Sequence, residues 1–126
     1  MIKYPALALL LGCMSSSHAL SINLTNNSTC SLELIEKKVF AALPSIEMPQ
    51  RISAHSKASI NAEKLPEAFA FIAVYNCKSS DEYLEIAAYK AIDDKHVTVA
   101  IYDELSDDDM HYRADNNSQI NYQISG

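Results

Sequence analysis

The stretch "FAFIAVYNC", Phe69–Cys77, decides the fold. In an extended chain Phe69, Phe71, Ala73 and Tyr75 fall on one side and Ala70, Ile72 and Val74 on the other. Aromatic and β-branched residues favour strands, and a run that is apolar on both sides suits a strand at the centre of a sheet or covered on both faces. The run stops at a thiol, so the chemistry of Cys77 bears on where this chain folds.

Working outward, the opening "MIKYPALALLLGCMSSSHALS" has a short basic start at Lys3, an apolar block from Tyr4 to Met14, and small residues at Ser17 and Ala19. That pattern reads as a secretory signal peptide over residues 1–19, followed by one small β-rich domain over 20–126. The expected location is secreted or periplasmic. Leu10-Leu11-Gly12-Cys13 resembles a bacterial lipobox, and the alternative it implies is a chain anchored by lipid on Cys13. No later segment approaches the roughly 20 apolar residues of a membrane-spanning helix. Beyond the signal two cysteines remain, Cys30 and Cys77. In an exported chain such a pair is expected to form a disulfide. Closing that loop removes about 4 kcal/mol of denatured-state entropy.

The flanking segments alternate as strands do. "SINLTN" places Ile22 and Leu24 on one face, and "CSLELIEK" places Cys30, Leu32 and Leu34 on one face. With "NNST" as a turn between them, the two read as a hairpin. "RISAHSKASIN" reads as one half-buried strand, with Ile52, Ala54, Ala58 and Ile60 inward. "LPSIEMPQ" and "EKLPEA" read as loops. "HVTVAIY" and "QINYQI" bury Val97, Val99 and Ile101, and Ile120, Tyr122 and Ile124. Two stretches fit either period. Leu32, Ile35, Val39 and Leu43 share a helical face, as do Leu84, Ala87, Ala88 and Ala91 behind a Ser79/Glu82 capping box. The expected fold is therefore mainly β, a small antiparallel β-sandwich with one disulfide. The alternative is α+β with helices near 31–43 and 80–93. Beyond the signal only Gly126 remains, so Asn, Asp, Ser and Pro must make the turns.

Charge is uneven. Residues 20–80 hold six basic and five acidic side chains, and residues 81–126 hold three and eleven. An acidic chain without a basic stripe excludes nucleic acid as a partner, and argues against charge-driven docking on anionic lipid. It leaves a protein or cell-envelope partner open.

Chemistry is sparse. Without internal glycine there is no phosphate-cradling loop and no nucleophile elbow. His55, His96 and His111 form no metal-binding or catalytic motif and read as surface residues. No catalytic residue and no cofactor is expected, and no metal motif is present. The densest oxygen-ligand set is "YDELSDDDM", whose Asp103, Glu104, Asp107, Asp108 and Asp109 are candidates for calcium. The other reading of that run is a solvated loop between strands. Asn23, Asn26, Asn27 and Asn116 stand in glycosylation sequons.

Three resemblances bear on function. Ala73, Tyr75 and Cys77 in "AVYNC" resemble the A-x-Y-x-C of immunoglobulin domains, which implies a tyrosine corner at Tyr75 and a bridge between sheets from Cys77. The same strand ending is similar to that of chaperone–usher pilins, which implies a surface-fibre subunit. "INLTNNSTCSLEL", "LPSIEMPQRISAHSKASI", "FAFIAVY" and "YLEIAAY" together resemble aegerolysins and haemolysin-type small acidic β-sandwiches. That resemblance implies a membrane-lipid partner and, as Trp is absent, assigns the activity to no residue. The expected function is a non-enzymatic exported binding module. Membrane-lipid binding and a fibre subunit are the alternatives.

Overall fold

A computed structural model describes residues 19–40, 45–115 and 118–126. Residues 1–18 of the 1–19 signal-peptide reading, the lipobox at Cys13, the start of the "LPSIEMPQ" loop and the Asn116 sequon lie outside them.

The described residues form ten strands and no helix. They are β1 (Ala19–Asn26), β2 (Leu32–Phe40), β3 (Ser45–Glu47), β4 (Arg51–Ile52), β5 (Ser56–Glu63), β6 (Phe69–Cys77), β7 (Glu82–Lys90), β8 (Val97–Asp103), β9 (Asp108–Ala114) and β10 (Ser118–Ile124). One sheet has six strands in the order β9-β8-β7-β6-β2-β4, and the other has four in the order β10-β1-β5-β3. All neighbours are antiparallel except β10 and β1, which run parallel with Ser118 opposite Leu20 and Ile124 opposite Asn26. The fold is a β-sandwich.

"FAFIAVYNC" lies inside the large sheet, between β2 and β7. Its odd-numbered residues are buried and its even-numbered ones half-buried, so one face meets the core and the other does not. Neighbouring strands continue that inner face in complementary sizes. Phe71 stands opposite Ala88, which stands opposite Val99; Ala73 stands opposite Ile86, which stands opposite Ile101. All six are fully buried. The small sheet answers with Leu20, Ile22, Leu24, Ile60, Ile120 and Ile124. Each such side chain contributes about 1.5–3 kcal/mol on burial.

Within the described residues both helical alternatives are strands, over Leu32–Phe40 and Glu82–Lys90, while Leu43 lies outside them. β7 has partners on both sides, and cross-strand packing of Leu84, Ile86 and Ala88 overrides the local helical spacing. Ala87 faces outward and Ala91 is exposed. In β2 a bulge at Ile35 shifts the register between Leu34 and Glu36, leaving Ile35 61% exposed where a helix would have buried it. The first hairpin is also corrected. β1 and β2 belong to different sheets, so "NNST" is a crossover and not a turn within a sheet. "RISAHSKASIN" is likewise two strands. The chain breaks at His55, which has φ 58°, and passes from the large sheet at Ile52 to the small sheet at Ile60. Ser45–Glu47 within "LPSIEMPQ" pairs with β5.

Turns without glycine rest on four residues of positive φ: His55, Lys64, Asp81 and Asp107. Asp81 and Asp107 close equivalent hairpins. Residues 78–81 link the facing pair Cys77 and Glu82, and residues 104–107 link Asp103 and Asp108. Each loop has four residues and ends in Ser-Asp, with the Asp in the left-handed region that Asp tolerates better than most.

Candidate functional site

One end of the sandwich collects the disulfide, both Ser-Asp turns and the acidic run. Cys30 and Cys77 are bonded, with Cα atoms 5.9 Å apart. The bridge ties the end of β6 to the crossover leaving β1, beside the facing pair Leu32 and Cys77. It does not join strand to strand across the core, as the immunoglobulin resemblance implied. The Ser79 hydroxyl lies 3.2 Å from the Cys77 sulfur and 3.5 Å from that of Cys30. Tyr75 is buried and its hydroxyl donates to the carbonyl of Pro49 at 2.7 Å. Burial pushes its phenol well above the ordinary range.

Asn26 organises the crossover. Fully buried, it donates through Nδ2 to the carbonyls of Cys30, Ile52 and Ser53, and its Oδ1 accepts from the Ser28 amide and hydroxyl. As a sequon residue it offered no sign of this role. Asn23 exchanges side-chain hydrogen bonds with Ser59 and Asn121, and Asn27 is exposed.

The acidic candidates line one cleft of about 310 Å³, together with Glu82 and Tyr102. Their carboxylates serve different ends. Asp103 is fully buried and accepts from the amides of Leu105 and Ser106 and from the Tyr122 hydroxyl. Glu104 accepts from the Tyr83 amide at 3.1 Å. Asp108 sits 3.3 Å from the Tyr122 hydroxyl, and Asp109 stands 3.9 Å from His111 Nδ1. Asp107 is exposed at the turn. Among the described residues no three His, Cys, Asp or Glu side chains are disposed to hold a metal ion.

The histidines are spread out. His55 is exposed at its turn. His96 lies among Asp94, Asp115 and Arg113, with Nε2 3.3 Å from Asp115 and Nδ1 3.2 Å from the Arg113 guanidinium. The His96 amide, then the Arg113 charge, holds the Asp94 carboxyl below its usual value. No serine or cysteine hydrogen-bonds to a histidine ring among the described residues.

The second candidate is the outer face of the large sheet, which the sequence reading left unassigned. Register defines three rungs across five strands. They run Glu36–Val74–Glu85–Tyr102–Asp109, Lys38–Ile72–Ala87–Ala100–His111, and Phe40–Ala70–Tyr89–Thr98–Arg113. Phe40, Tyr89 and Tyr102 are 52%, 48% and 42% exposed. The rings of Tyr83 and Tyr102 meet at 5.6 Å with a 47° tilt. Partial burial of Tyr83, then the nearby Glu104, Tyr102 and Glu85, raise its phenol pKa. The signal for this face was already in "FAFIAVYNC", whose even-numbered residues Ala70, Ile72 and Val74 are apolar as well.

No protein-family model matches the chain, and no curated protein is significantly similar to it. Neither result bears on the aegerolysin resemblance. Among the described residues no helix is long and apolar enough to cross a membrane.

Proposed function

We propose that this protein is an exported, non-enzymatic binding module that docks its partner on the outer face of the six-stranded sheet. One observation carries the reading. Ile72, Val74, Ala70, Ala87, Ala100 and three tyrosines share a sheet face that no described element covers. Contiguous apolar surface of this kind marks interaction sites in soluble proteins. The disulfide fits an oxidising compartment. Parallel pairing of β1 with β10 favours a module that fills its own small sheet over a fibre subunit awaiting a donated strand.

Site-specific photo-crosslinking in the exporting cell tests the reading. A crosslinker at Ala100, on the outer face, is expected to capture one discrete partner, while one at Gln123, exposed on the small sheet, captures none. No capture at Ala100, or equal capture at both positions, rejects it.

A further inference from the structure

The Glu85 rung says what kind of partner the face takes. Five strands lie side by side at about 4.8 Å, so two strands span about 9.6 Å. Glu36, Glu85 and Asp109 stand two strands apart along one rung, with Val74 and Tyr102 between them. The rung therefore carries acidic residues at a backbone repeat of about 9.6 Å, separated by one aliphatic and one aromatic residue. Glu36 has a cation near it, Lys38 at 3.2 Å, and Asp109 has only His111 at 3.9 Å. Glu85 has no ion-pair partner among the described residues. Tyr102 is exposed between Glu85 and Asp109, placed to receive a cation on its ring as well as beside it.

We infer that the Glu36–Val74–Glu85–Tyr102–Asp109 rung binds an extended, basic segment of a partner protein, with Lys or Arg side chains about 9–10 Å apart. This rests on the outer face being the docking surface. The spacing matches a polyproline-type backbone, which rises about 3.1 Å per residue and so repeats every three residues at about 9.3 Å. A basic residue at every third position then meets a carboxylate each time, and the intervening residues lie over Val74 and Tyr102. A β-strand segment, with same-side residues about 6.6 Å apart, would miss Glu85 when it meets Glu36 and Asp109.

The probe is a peptide of repeated Lys-Pro-Pro, titrated against isotope-labelled protein and read by amide shifts, with a Gln-Pro-Pro repeat as control. Saturable binding of the Lys peptide is expected, with shifts confined to the rung and its neighbours, and loss of binding in high salt. Glu85→Gln weakens it about tenfold, equivalent to about 1.4 kcal/mol, at unchanged melting temperature, and Tyr102→Ala weakens it about as much in protein that remains folded. Glu85→Asp retains most of the affinity. Absence of saturable binding, equal binding of the Gln peptide, or a Glu85→Gln variant with wild-type affinity overturns the inference. A partner captured at Ala100 alongside a silent Lys peptide overturns the basic-segment inference alone and leaves the docking face standing; no capture at Ala100 removes both.

Discussion

The hydroxyl of Tyr122, in β10 of the small sheet, donates at 2.7 Å to the carboxylate of Asp103, in β8 of the large sheet. Asp103 is fully buried, and Tyr122 nearly so. This bond joins the two sheets at the end where the acidic turn closes. A hydrogen bond to a charged group contributes about 1.5–3 kcal/mol. Tyr122→Phe should lower unfolding free energy by about 2 kcal/mol in urea titration. An Asp103→Asn background should shrink that loss. An equal loss in both backgrounds would place the effect elsewhere.

Alkaline stability follows from Tyr75 and Tyr122. Burial raises both phenols above the ordinary value of 10.0, and for Tyr122 the bond to Asp103 raises it further. A raised folded-state pKa means that the folded form keeps protons the unfolded form loses. Stability is therefore unaffected below pH 10 and falls as pH rises beyond it, by about 1.4 kcal/mol per pH unit for each phenol. Melting temperatures measured upward from pH 9 should show the fall beginning near 10. Tyr75→Phe should reduce its slope.

Asn26 faces three carbonyl oxygens through one amide nitrogen. Asn26→Asp keeps the shape, removes the donors and sets a carboxylate against acceptors. Leaving buried groups unsatisfied costs about 1–3 kcal/mol, and more for a charge. The expected loss is about 3 kcal/mol or more by denaturant titration. A loss below 1 kcal/mol would mean that the crossover does not depend on this side chain.

Lys64 and His55 occupy the left-handed region at φ 55° and 58°. That conformation costs an L-residue about 1–2 kcal/mol, and glycine avoids it at an entropic cost of about 0.5–1. Lys64→Gly should therefore stabilise the protein by about 0.5–1 kcal/mol, and Lys64→Val should destabilise it. Calorimetry of the two variants checks the order.

Reduction of Cys30–Cys77 should remove about 4 kcal/mol of stability, in the chain-entropy account of a loop of this length. Peptide binding on the outer face should survive in reduced protein that remains folded, since the bridge lies at the end of β6 and not on the rung.

Much of the sandwich was legible because its core strands alternate cleanly. Leu20, Ile22 and Leu24, the β8 triplet Val97, Val99 and Ile101, and the β10 triplet Ile120, Tyr122 and Ile124 all point inward as their period requires. What failed to read locally was non-local. Nothing in "NNST" says that the chain changes sheets there, because a crossover and a hairpin turn use the same residues. The helical spacing of Leu84, Ala87 and Ala88 is overridden by partners nine to nineteen residues away in β6 and β8. The paired turns were readable in principle. Lys78-Ser79-Ser80-Asp81 and Glu104-Leu105-Ser106-Asp107 share a Ser-Asp ending that glycine-based turn rules overlook. Burial of Asp103 was not readable. Its partners are two amides of its own turn and a tyrosine from another sheet, so an acid in an acidic run becomes an anchor.

The parallel match of β1 with β10 has a kinetic consequence. Asn23 and Asn121 hydrogen-bond across a separation of 98 residues, so this edge carries the largest loop-closure entropy among the described pairings. The β6–β7–β8–β9 meander needs only four- to six-residue connections and can assemble early. β1 can pair with β5 first, so β10 is the strand that must return from the far end of the sequence, and this non-local closure places folding in the slow range of β-proteins, milliseconds to seconds.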